Sequence, residues 1–245
     1  MDHSALAGRR VVLTQQRASR LAERLELLGA TVSRVRLTEP GDPSDGGAGL
    51  LDALGRLHEF EWLIVTSVIG DRAVGSAVAN AEAVRLAAVG SATAEALAVL
   101  AGRPVDLVPT VQRAEGLLAE FPAESSAILL AQGDLAGPAL GDGLRARGHR
   151  VTAVEAYATV ARPPIGGAVA DLRAADAVVL ASGSAASALA AAVPTIAVPL
   201  VAIGPSTAAV ATAAGFSVAA VAASPADHDV VAAVVAALAK ATGGD

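Results

Sequence analysis

The chain has 245 residues and a formal net charge of −6; hydrophobic residues make up 53% of it and aromatic residues only 2%. This length suits one or two domains of about 100–200 residues each, with a core of small and branched aliphatic side chains. The acidic balance argues against a general nucleic-acid-binding protein, which needs a basic face, and the absence of cysteine excludes disulfides, thiolate catalysis and cysteine-ligated zinc.

Short apolar runs and helical patterns alternate along the first half of the chain. In the first helical segment, Leu21, Leu25 and Leu28 share one face. Ser19 can cap the start of that helix and Gly29 can end it. In chain order the patterns predict a strand over 9–14, a helix over 18–29, a strand over 30–40, a helix over 50–60, a strand over 61–67, a helix from about 71, a strand over 85–90, a helix from about 91, a strand over 104–109 and a helix over 113–121.

The second half of the chain repeats the first. The segment SSAILLAQG (125–133) resembles RRVVLTQQ (9–16), and the phrase AAVGSATAEALAVLAG (87–102) returns as VAIGPSTAAVATAAG (201–215). Corresponding residues lie 114 to 119 positions apart, as Gly90 and Gly204 or Gly29 and Gly148 do. The sequence therefore predicts two structural repeats.

Alternation of strands with helices is typical of parallel sheets covered by helices on both faces. Each repeat also contains an extended segment that ends in proline, VSRVRLTEP (32–40) and VTAVEAYATVARPP (151–164). We therefore predict an α/β fold of two similar parallel-sheet domains, with these segments as a two-stranded linker. The predicted boundaries are 1–35 plus 163–245 for the first, discontinuous domain, 40–154 for the second domain, and 36–39 and 155–162 for the linkers.

Targeting and membrane segments are not predicted. The N-terminus lacks a basic region followed by an apolar one, which argues against a signal peptide. The alanine-rich stretch 177–223 is interrupted by Pro194, Pro199 and Pro205, so it reads as buried α/β core and not as a membrane span. The absence of cysteine fits a cytoplasmic protein.

The repeated phrase places a helix start directly after a strand in both halves. A helix N-terminus has backbone N–H groups without intrahelical partners and about half a positive charge, so it attracts anions even in an acidic protein. Gly90 and Gly204 allow close approach of the backbone, and Thr93 and Thr207 add a hydroxyl in the first turn. The alternative is that these residues are ordinary helix caps.

Four segments together resemble the uroporphyrinogen-III synthase family: WLIVTS (62–67), AVGSATAEAL (88–97), AIGPSTAAVATAAG (202–215) and VEAYAT (154–159). The resemblance runs over about residues 9–238. It implies two α/β domains joined by a two-stranded ladder. It also implies a substrate, the linear tetrapyrrole polycarboxylate hydroxymethylbilane. The family cyclises this substrate to uroporphyrinogen III, with inversion of the last pyrrole ring and loss of water, and uses no cofactor or metal.

The resemblance implies roles for particular residues. Tyr157, the only tyrosine, is the candidate catalytic residue, because its phenol can hydrogen-bond the departing hydroxyl; taken alone, it reads as a linker residue packed against a domain edge. Arg17 and Arg162 can meet substrate carboxylates or remain solvated charges. Closure of the two domains about the linkers would shape the cavity. The candidate substrate-binding residues, at strand ends and helix starts, are Thr14, Thr66, Ser67, Gly90, Thr93, Gln132, Ser182, Gly183, Ser184, Gly204 and Thr207.

The chain departs from the family pattern in two places. The first strand of the family usually ends in Thr-Arg-Pro, where this chain has Thr14, Gln15 and Gln16. In the family, the strand before the second helix of each domain often carries an asparagine soon after the serine, and residues 68–72 contain none. Family roles of the side chains at those positions therefore do not carry over to this chain, and the predicted fold is unchanged.

Other residues give weak signals for chemistry. Asp134 and Glu155 do not form an obvious carboxylate pair, and GDGLRARG (141–148) lacks the glycine spacing of a dinucleotide site. Trp62 is expected in the core at a strand start. The four histidines lack metal-binding spacing and are expected on the surface or in loops: His3, His58, His149 and His228.

Two other functions stay open on the sequence alone. The first is a non-catalytic two-domain hinge protein that binds a small anionic metabolite. The second is a degenerate family member that acts as a regulatory partner. For the enzyme, we expect a monomer that binds its small-molecule substrate and neither nucleic acid nor membrane.

Overall fold

The computed structural model describes residues 4–14 and 20–242. The chain divides into two compact units. Unit 1 consists of Met1–Glu39 and Val160–Asp245, and unit 2 consists of Pro40–Thr159. Five residues discussed above lie outside the described residues: His3, Gln15, Gln16, Arg17 and Ser19.

Strands and helices alternate along the chain, with two exceptions. From the N-terminus the elements are β1 (Arg10–Leu13), α1 (Arg20–Leu27), β2 (Thr31–Arg34), β3 (Thr38–Gly41), α2 (Ala48–Gly55), β4 (Trp62–Val65), α3 (Val68–Val74), β5 (Arg85–Ala88), α4 (Ser91–Ala101) and α5 (Ala114–Glu120). They continue with β6 (Ala127–Gly133), α6 (Ala139–Ala146), β7 (Arg150–Ala161), α7 (Gly167–Ala174), β8 (Ala177–Leu180), α8 (Gly183–Ala192), β9 (Leu200–Ala202), α9 (Pro205–Ala213), β10 (Val218–Val221) and α10 (Asp227–Thr242). The exceptions are that β2 is followed by β3 and α4 by α5.

The sheet of unit 1 has the strand order β10-β9-β8-β1-β2, and each neighbouring pair is parallel. Apart from Arg10 at the start of β1, its central strands β9, β8 and β1 are apolar, because both faces of the sheet are covered. In β1, Val11 and Leu13 pack into the cluster that includes α1 and α10. Val12 points to the opposite face, into the cluster that includes α8. The continuous apolar run of β1 therefore follows from burial on both sides.

The sheet of unit 2 has the order β3-β7-β6-β4-β5, with β7, β6, β4 and β5 joined in parallel. In β4, Leu63 and Val65 pack on one face and Trp62 and Ile64 on the other. The strands β7-β6-β4-β5 occupy the same order as β2-β1-β8-β9 in unit 1, as the repeated sequence predicts. The two sheets confirm the predicted α/β fold with parallel sheets.

The strand predicted over 30–40 is wrong as a single element. It is two strands, β2 and β3, which belong to different sheets. Between the two strands, Val35 and Leu37 are buried in the core of unit 1, and this segment belongs to neither sheet.

The strand predicted over 104–109 is also wrong. Only one isolated bridge, between Ala87 and Leu107, joins this segment to β5. Pro104 and Pro109 cannot donate to a ladder. The N–H of Leu86 donates to the carboxylate of Asp106 at 2.7 Å, so this donor of β5 is bonded to a side chain and not to the backbone of a neighbouring strand.

The helix predicted from about residue 71 begins earlier, at Val68, because Ser67 caps it. Over residues 4–14 and 20–242, no helix has both the length and the apolarity needed to span a membrane.

Candidate functional site

Each sheet has a topological switch point, where open α/β sheets bind ligands at the carboxyl ends of the strands. In unit 2, β4 leads to β5 on one side while β6 and β7 lie on the other, so the switch point lies between β4 and β6. In unit 1 the corresponding point lies between β1 and β8. The candidate residues of each unit follow these strands or their direct neighbours.

In unit 2, Ser67 and Tyr157 meet at the switch point. Ser67 follows β4 and caps α3, where its Oγ accepts the N–H of Gly70 at 3.2 Å. The same Oγ donates to the phenol oxygen of Tyr157, 3.1 Å away. Tyr157 is half-buried and comes from β7, two strands away from β4 in the sheet. A hydrogen bond across the end of β6 therefore joins two sequence-predicted residues that are 90 positions apart.

The tyrosine ring lies against Gly133, the last residue of β6. A Cβ at Gly133 would lie 2.6 Å from Cζ and 2.8 Å from Oη of Tyr157, too close for any side chain. The register between β6 and β7 shifts by one residue just before Gly133, so that Tyr157 and not Ala156 is its partner. Such bulges re-aim side chains next to functional sites.

The start of α4 has the geometry that the repeated phrase predicts. Gly90 is the N-cap in an extended conformation, and Thr93 is buried in the first turn with 5% of its surface exposed. The N–H of Ser91 donates to Oε1 of Gln112 at 3.0 Å, and the Ser91 hydroxyl donates to the same oxygen at 3.3 Å. A neutral side-chain carbonyl therefore occupies one donor of this helix start.

The start of α9 in unit 1 matches it. Gly204 is the N-cap, and Thr207 is buried in the first turn with 4% of its surface exposed. Pro205 occupies the first helical position and contributes no N–H. Neither Thr93 nor Thr207 makes a side-chain hydrogen bond with any residue that the structure describes.

Three further candidates form the start of α8 in unit 1. Ser182 caps the helix, with Oγ accepting the N–H of Ala185 at 3.1 Å, and the hydroxyls of Ser182 and Ser184 lie 2.9 Å apart. Gly183 packs closely against α9, since a Cβ there would lie 2.9 Å from Cγ2 of Val210. Ser182 thus repeats the capping bond of Ser67 in unit 2.

Thr14 has a buried hydroxyl that is already fully used within unit 1. Its Oγ1 donates to the carbonyl of Val179 at 2.9 Å and accepts the N–H of Ala181 at 3.0 Å. Thr14 therefore holds β1 to β8 at the switch point. Its side chain stabilises the strand ends there and offers no remaining proton to a ligand.

The remaining polar candidates have these partners. Thr66 is half-buried and its N–H donates to Ala131, while Gln132 is a half-buried residue of β6. Arg162 forms an ion pair with Glu39 at 2.9 Å. Asp134 and Glu155 serve separate loops: Asp134 accepts the N–H of Thr159, and Glu155 accepts from the N–H and hydroxyl of Ser44.

His149 lies in the loop between α6 and β7, one of the positions expected for it, but it is buried and not on the surface. The ring is 4% exposed and meets Phe121 edge-to-face, with centroids 5.1 Å apart. Neither ring nitrogen has a hydrogen-bond partner among the described residues. His58 and His228 are exposed, as expected, and Trp62 is buried at the start of β4.

Sequence reasoning missed two contributors, Gly133 and Gln112. The close approach of the tyrosine ring to Gly133 depends on the register of two strands, although a glycine at a strand end after an apolar run is a usable signal. Gln112 lies 21 residues from the helix start that it caps, in a segment predicted only as a connection. Within the part of the chain that the structure describes, no group of three or more metal-ligating side chains occurs.

Comparison with known proteins gives a consistent result. The family model for uroporphyrinogen-III synthase HemD matches residues 19–232. Uroporphyrinogen-III synthetase from Helicobacter pylori 26695 is 15% identical, with a TM-score of 0.67 over 93% of this chain and 98% of that one. A mutant uroporphyrinogen III synthase from Thermus thermophilus is 19% identical, with a TM-score of 0.60 over 95% of this chain and 100% of that one. At these identities the likeness shows the fold. No curated protein matches the chain.

Proposed function

The chain belongs to the uroporphyrinogen-III synthase family, and from that premise we propose how its residues perform the family's reaction. Enzymes of this family are cyclising lyases of tetrapyrrole synthesis. The reaction converts hydroxymethylbilane into uroporphyrinogen III. The terminal hydroxyl leaves as water, and the last pyrrole ring is joined in the inverted orientation. The non-catalytic hinge protein considered above is not favoured by the family match.

The chemical demands of the reaction are modest. A hydroxymethylpyrrole loses its hydroxyl readily once the oxygen receives a proton, because the pyrrole nitrogen stabilises the resulting azafulvene. The difficult step is to present the last ring in the orientation that the free molecule does not prefer. Holding reacting groups in one geometry can supply several kcal/mol of catalysis, about 7 or more in favourable cases. The protein therefore needs one proton donor and several anchors.

Tyr157 is our proposed proton donor, and its geometry at the switch point carries the proposal. The residue is half-buried at the carboxyl end of the unit 2 sheet, its ring lies against Gly133 of β6, and its phenol oxygen is hydrogen-bonded to the Ser67 cap. A general acid must lie within hydrogen-bond reach of the atom that it protonates, and this edge of the sheet is where a ligand would lie. The phenol would donate to the departing hydroxyl.

The starts of α4, α8 and α9 are our proposed anchors for substrate carboxylates. Each follows a strand at the carboxyl edge of its own sheet, and each presents backbone N–H groups with a partial positive charge. Gly204 leaves the approach to α9 open, whereas at α4 the carbonyl of Gln112 lies beside Gly90 and would be displaced by a carboxylate. The Thr93 and Thr207 hydroxyls lie in the first turns without other described partners. An acidic protein can bind a polycarboxylate in this way because the donors are main-chain dipoles.

A comparison of Tyr157→Phe with the wild type tests the proposed acid. The phenylalanine ring keeps the packing against Gly133 but has no proton to donate. We expect kcat to fall about a hundredfold with little change in KM, as for loss of a general acid. An unchanged thermal midpoint controls for damage to the fold. A variant with full kcat would remove Tyr157 from the mechanism and leave the anchors standing.

Two narrower points stay predictions from the sequence: a cytoplasmic location and a monomeric state.

A further inference from the structure

We propose that Ser67 and Gly133 are positioning residues that fix the direction in which Tyr157 donates its proton. This inference rests on the proposed role of Tyr157 as the acid. It assigns the Ser67 hydroxyl to the tyrosine and removes it from the set of groups that bind substrate directly.

Ser67 has one hydroxyl proton, and the structure shows where that proton goes. Its Oγ already accepts the N–H of Gly70, which fixes the oxygen at the start of α3. The hydroxyl then donates to the phenol oxygen of Tyr157 at 3.1 Å. Because the phenol oxygen accepts this bond, its own proton is left for another acceptor. At the carboxyl end of the sheet, that acceptor is the departing hydroxyl of the substrate.

The polarity of this bond favours the transition state. As the phenol gives up its proton, its oxygen gains negative charge, and a hydrogen bond to a charged oxygen is about twice as strong as one to a neutral oxygen. The bond from Ser67 therefore strengthens during the reaction. An interaction that is stronger in the transition state than in the bound substrate raises kcat and leaves KM largely unchanged.

Gly133 sets the position from which the phenol acts. A Cβ there would meet Cζ, Oη and Cε2 of Tyr157 at 2.6, 2.8 and 3.0 Å, so the ring can lie against the end of β6 only if this residue is glycine. The backbone of Tyr157 is fixed at the same level, where its carbonyl accepts the N–H of Asp134 at 3.0 Å. An alanine at position 133 would push the phenol away from Ser67.

The single tyrosine allows a direct spectroscopic test. The intensity ratio of the tyrosine doublet in the Raman spectrum reports whether a phenol oxygen accepts or donates hydrogen bonds, and here only Tyr157 contributes. We would compare the wild type with Ser67→Ala, Ser67→Thr, Ser67→Asp and Gly133→Ala. The matched control is Ser182→Ala, which loses the equivalent capping bond in unit 1, whereas the tyrosine belongs to unit 2.

The expected results differ among the variants. The wild-type ratio indicates an accepting phenol oxygen; Ser67→Ala and Gly133→Ala lose this signature, and Ser67→Thr keeps it. Ser67→Asp keeps a cap acceptor for α3 but has no proton to give, so the phenol becomes a donor to it. Ser182→Ala leaves the ratio unchanged. In turnover, Ser67→Ala lowers kcat about tenfold with KM within about twofold, and Ser67→Thr restores kcat.

Each opposite result overturns the inference. A wild-type ratio without an accepting oxygen, or an unchanged ratio in Ser67→Ala, shows that Ser67 does not donate to Tyr157. A changed ratio with unchanged kcat shows that the bond does not position the acid. The ratio needs no substrate, so failure of the proposed reaction in the wild type would leave the spectroscopic result standing and the two failures distinguishable. If Gly133→Ala proves unstable, Ser67→Thr and Ser67→Asp, which retain the cap of α3, still test whether Ser67 donates to Tyr157.

Discussion

The Oγ of Ser67 and the Oη of Tyr157 lie 3.1 Å apart at the switch point of the unit 2 sheet. This contact joins a helix cap to the only tyrosine of the chain. It depends on a glycine that leaves space for the ring and on a bulge that turns Tyr157 towards that glycine. The catalytic proposal therefore rests on local features of one unit, each of which can be changed separately.

Substitutions of three buried threonines distinguish binding hydroxyls from structural ones. We expect Thr93→Val and Thr207→Val to leave stability nearly unchanged, because valine keeps the shape and the hydroxyls have no described partner to lose. KM should rise about fivefold in each, by loss of roughly one hydrogen bond to substrate. Thr14→Val is the matched control, because its hydroxyl makes two bonds within the protein. It should lose about 1–3 kcal/mol of stability.

Thermal unfolding and steady-state kinetics measure both effects. An unchanged KM in Thr93→Val and Thr207→Val would contradict a binding role for these hydroxyls. A marked loss of stability in either would show that it is an ordinary cap after all.

Removal of Gln112 should open the start of α4. Its Oε1 accepts two hydrogen bonds from Ser91, in the place where we propose that a substrate carboxylate binds. Gln112→Ala should therefore lower KM about twofold to fivefold, because substrate no longer displaces a bound carbonyl. The loss of this exposed cap should cost about 0.5–1 kcal/mol of stability. A higher KM in steady-state assays would instead make Gln112 a substrate ligand.

Two glycines in helices should respond oppositely to alanine. A Cβ at Gly116 of α5 would lie 1.9 Å from the carbonyl oxygen of Val111, so the backbone must move, and we expect a loss of about 2–3 kcal/mol. Gly55 of α2 has no heavy atom within 4 Å of its added Cβ. There alanine should gain about 0.5 kcal/mol through helix propensity. Urea unfolding gives both values, and equal signs would contradict the packing described for α5.

The carboxylate of Asp45 should give unit 2 a pH-dependent contribution to stability. Hydrogen bonds from the backbone N–H groups of Gly49 and Gly47 lower the pKa of Asp45 below its ordinary value of 3.8. A lowered pKa in the folded state means that the contribution is present above pH 3.8 and is lost as the pH falls through the folded value. Asp45→Asn should therefore lower the thermal midpoint at about pH 6 and much less at the lowest pH.

Thermal scans of the wild type and Asp45→Asn across this range provide the measurement. A difference between the two midpoints that stays constant with pH would show that the carboxylate charge is not the cause.

Local signals predicted much of the fold. Gly29 and Gly148, aligned by the repeat, both end helical segments with positive φ, at 91° and 90°. Such positions favour glycine strongly, so the sequence marks them. Ser67 and Ser182 likewise make the same capping bond, and the apolar runs of β1 and β4 are buried strands. These features depend on a few neighbouring residues.

Features that depend on distant pairing were not predictable. The alternating apolar residues of 30–40 predicted one strand, and they did not reveal that Val35 and Leu37 are buried in unit 1 between the end of β2 and the start of β3. The burial of His149 depends on Phe121 from another element. The register that sets Tyr157 against Gly133 is fixed by strand pairing, since a one-residue change reverses the face of each side chain.

The isomer composition of the product tests the central claim most directly. Purified protein would be incubated with hydroxymethylbilane, and the product would be oxidised and separated by chromatography. We predict that the wild type forms uroporphyrinogen III, with the last pyrrole ring inverted. A product that contains only the uninverted type I isomer, which forms without an enzyme, would contradict the account.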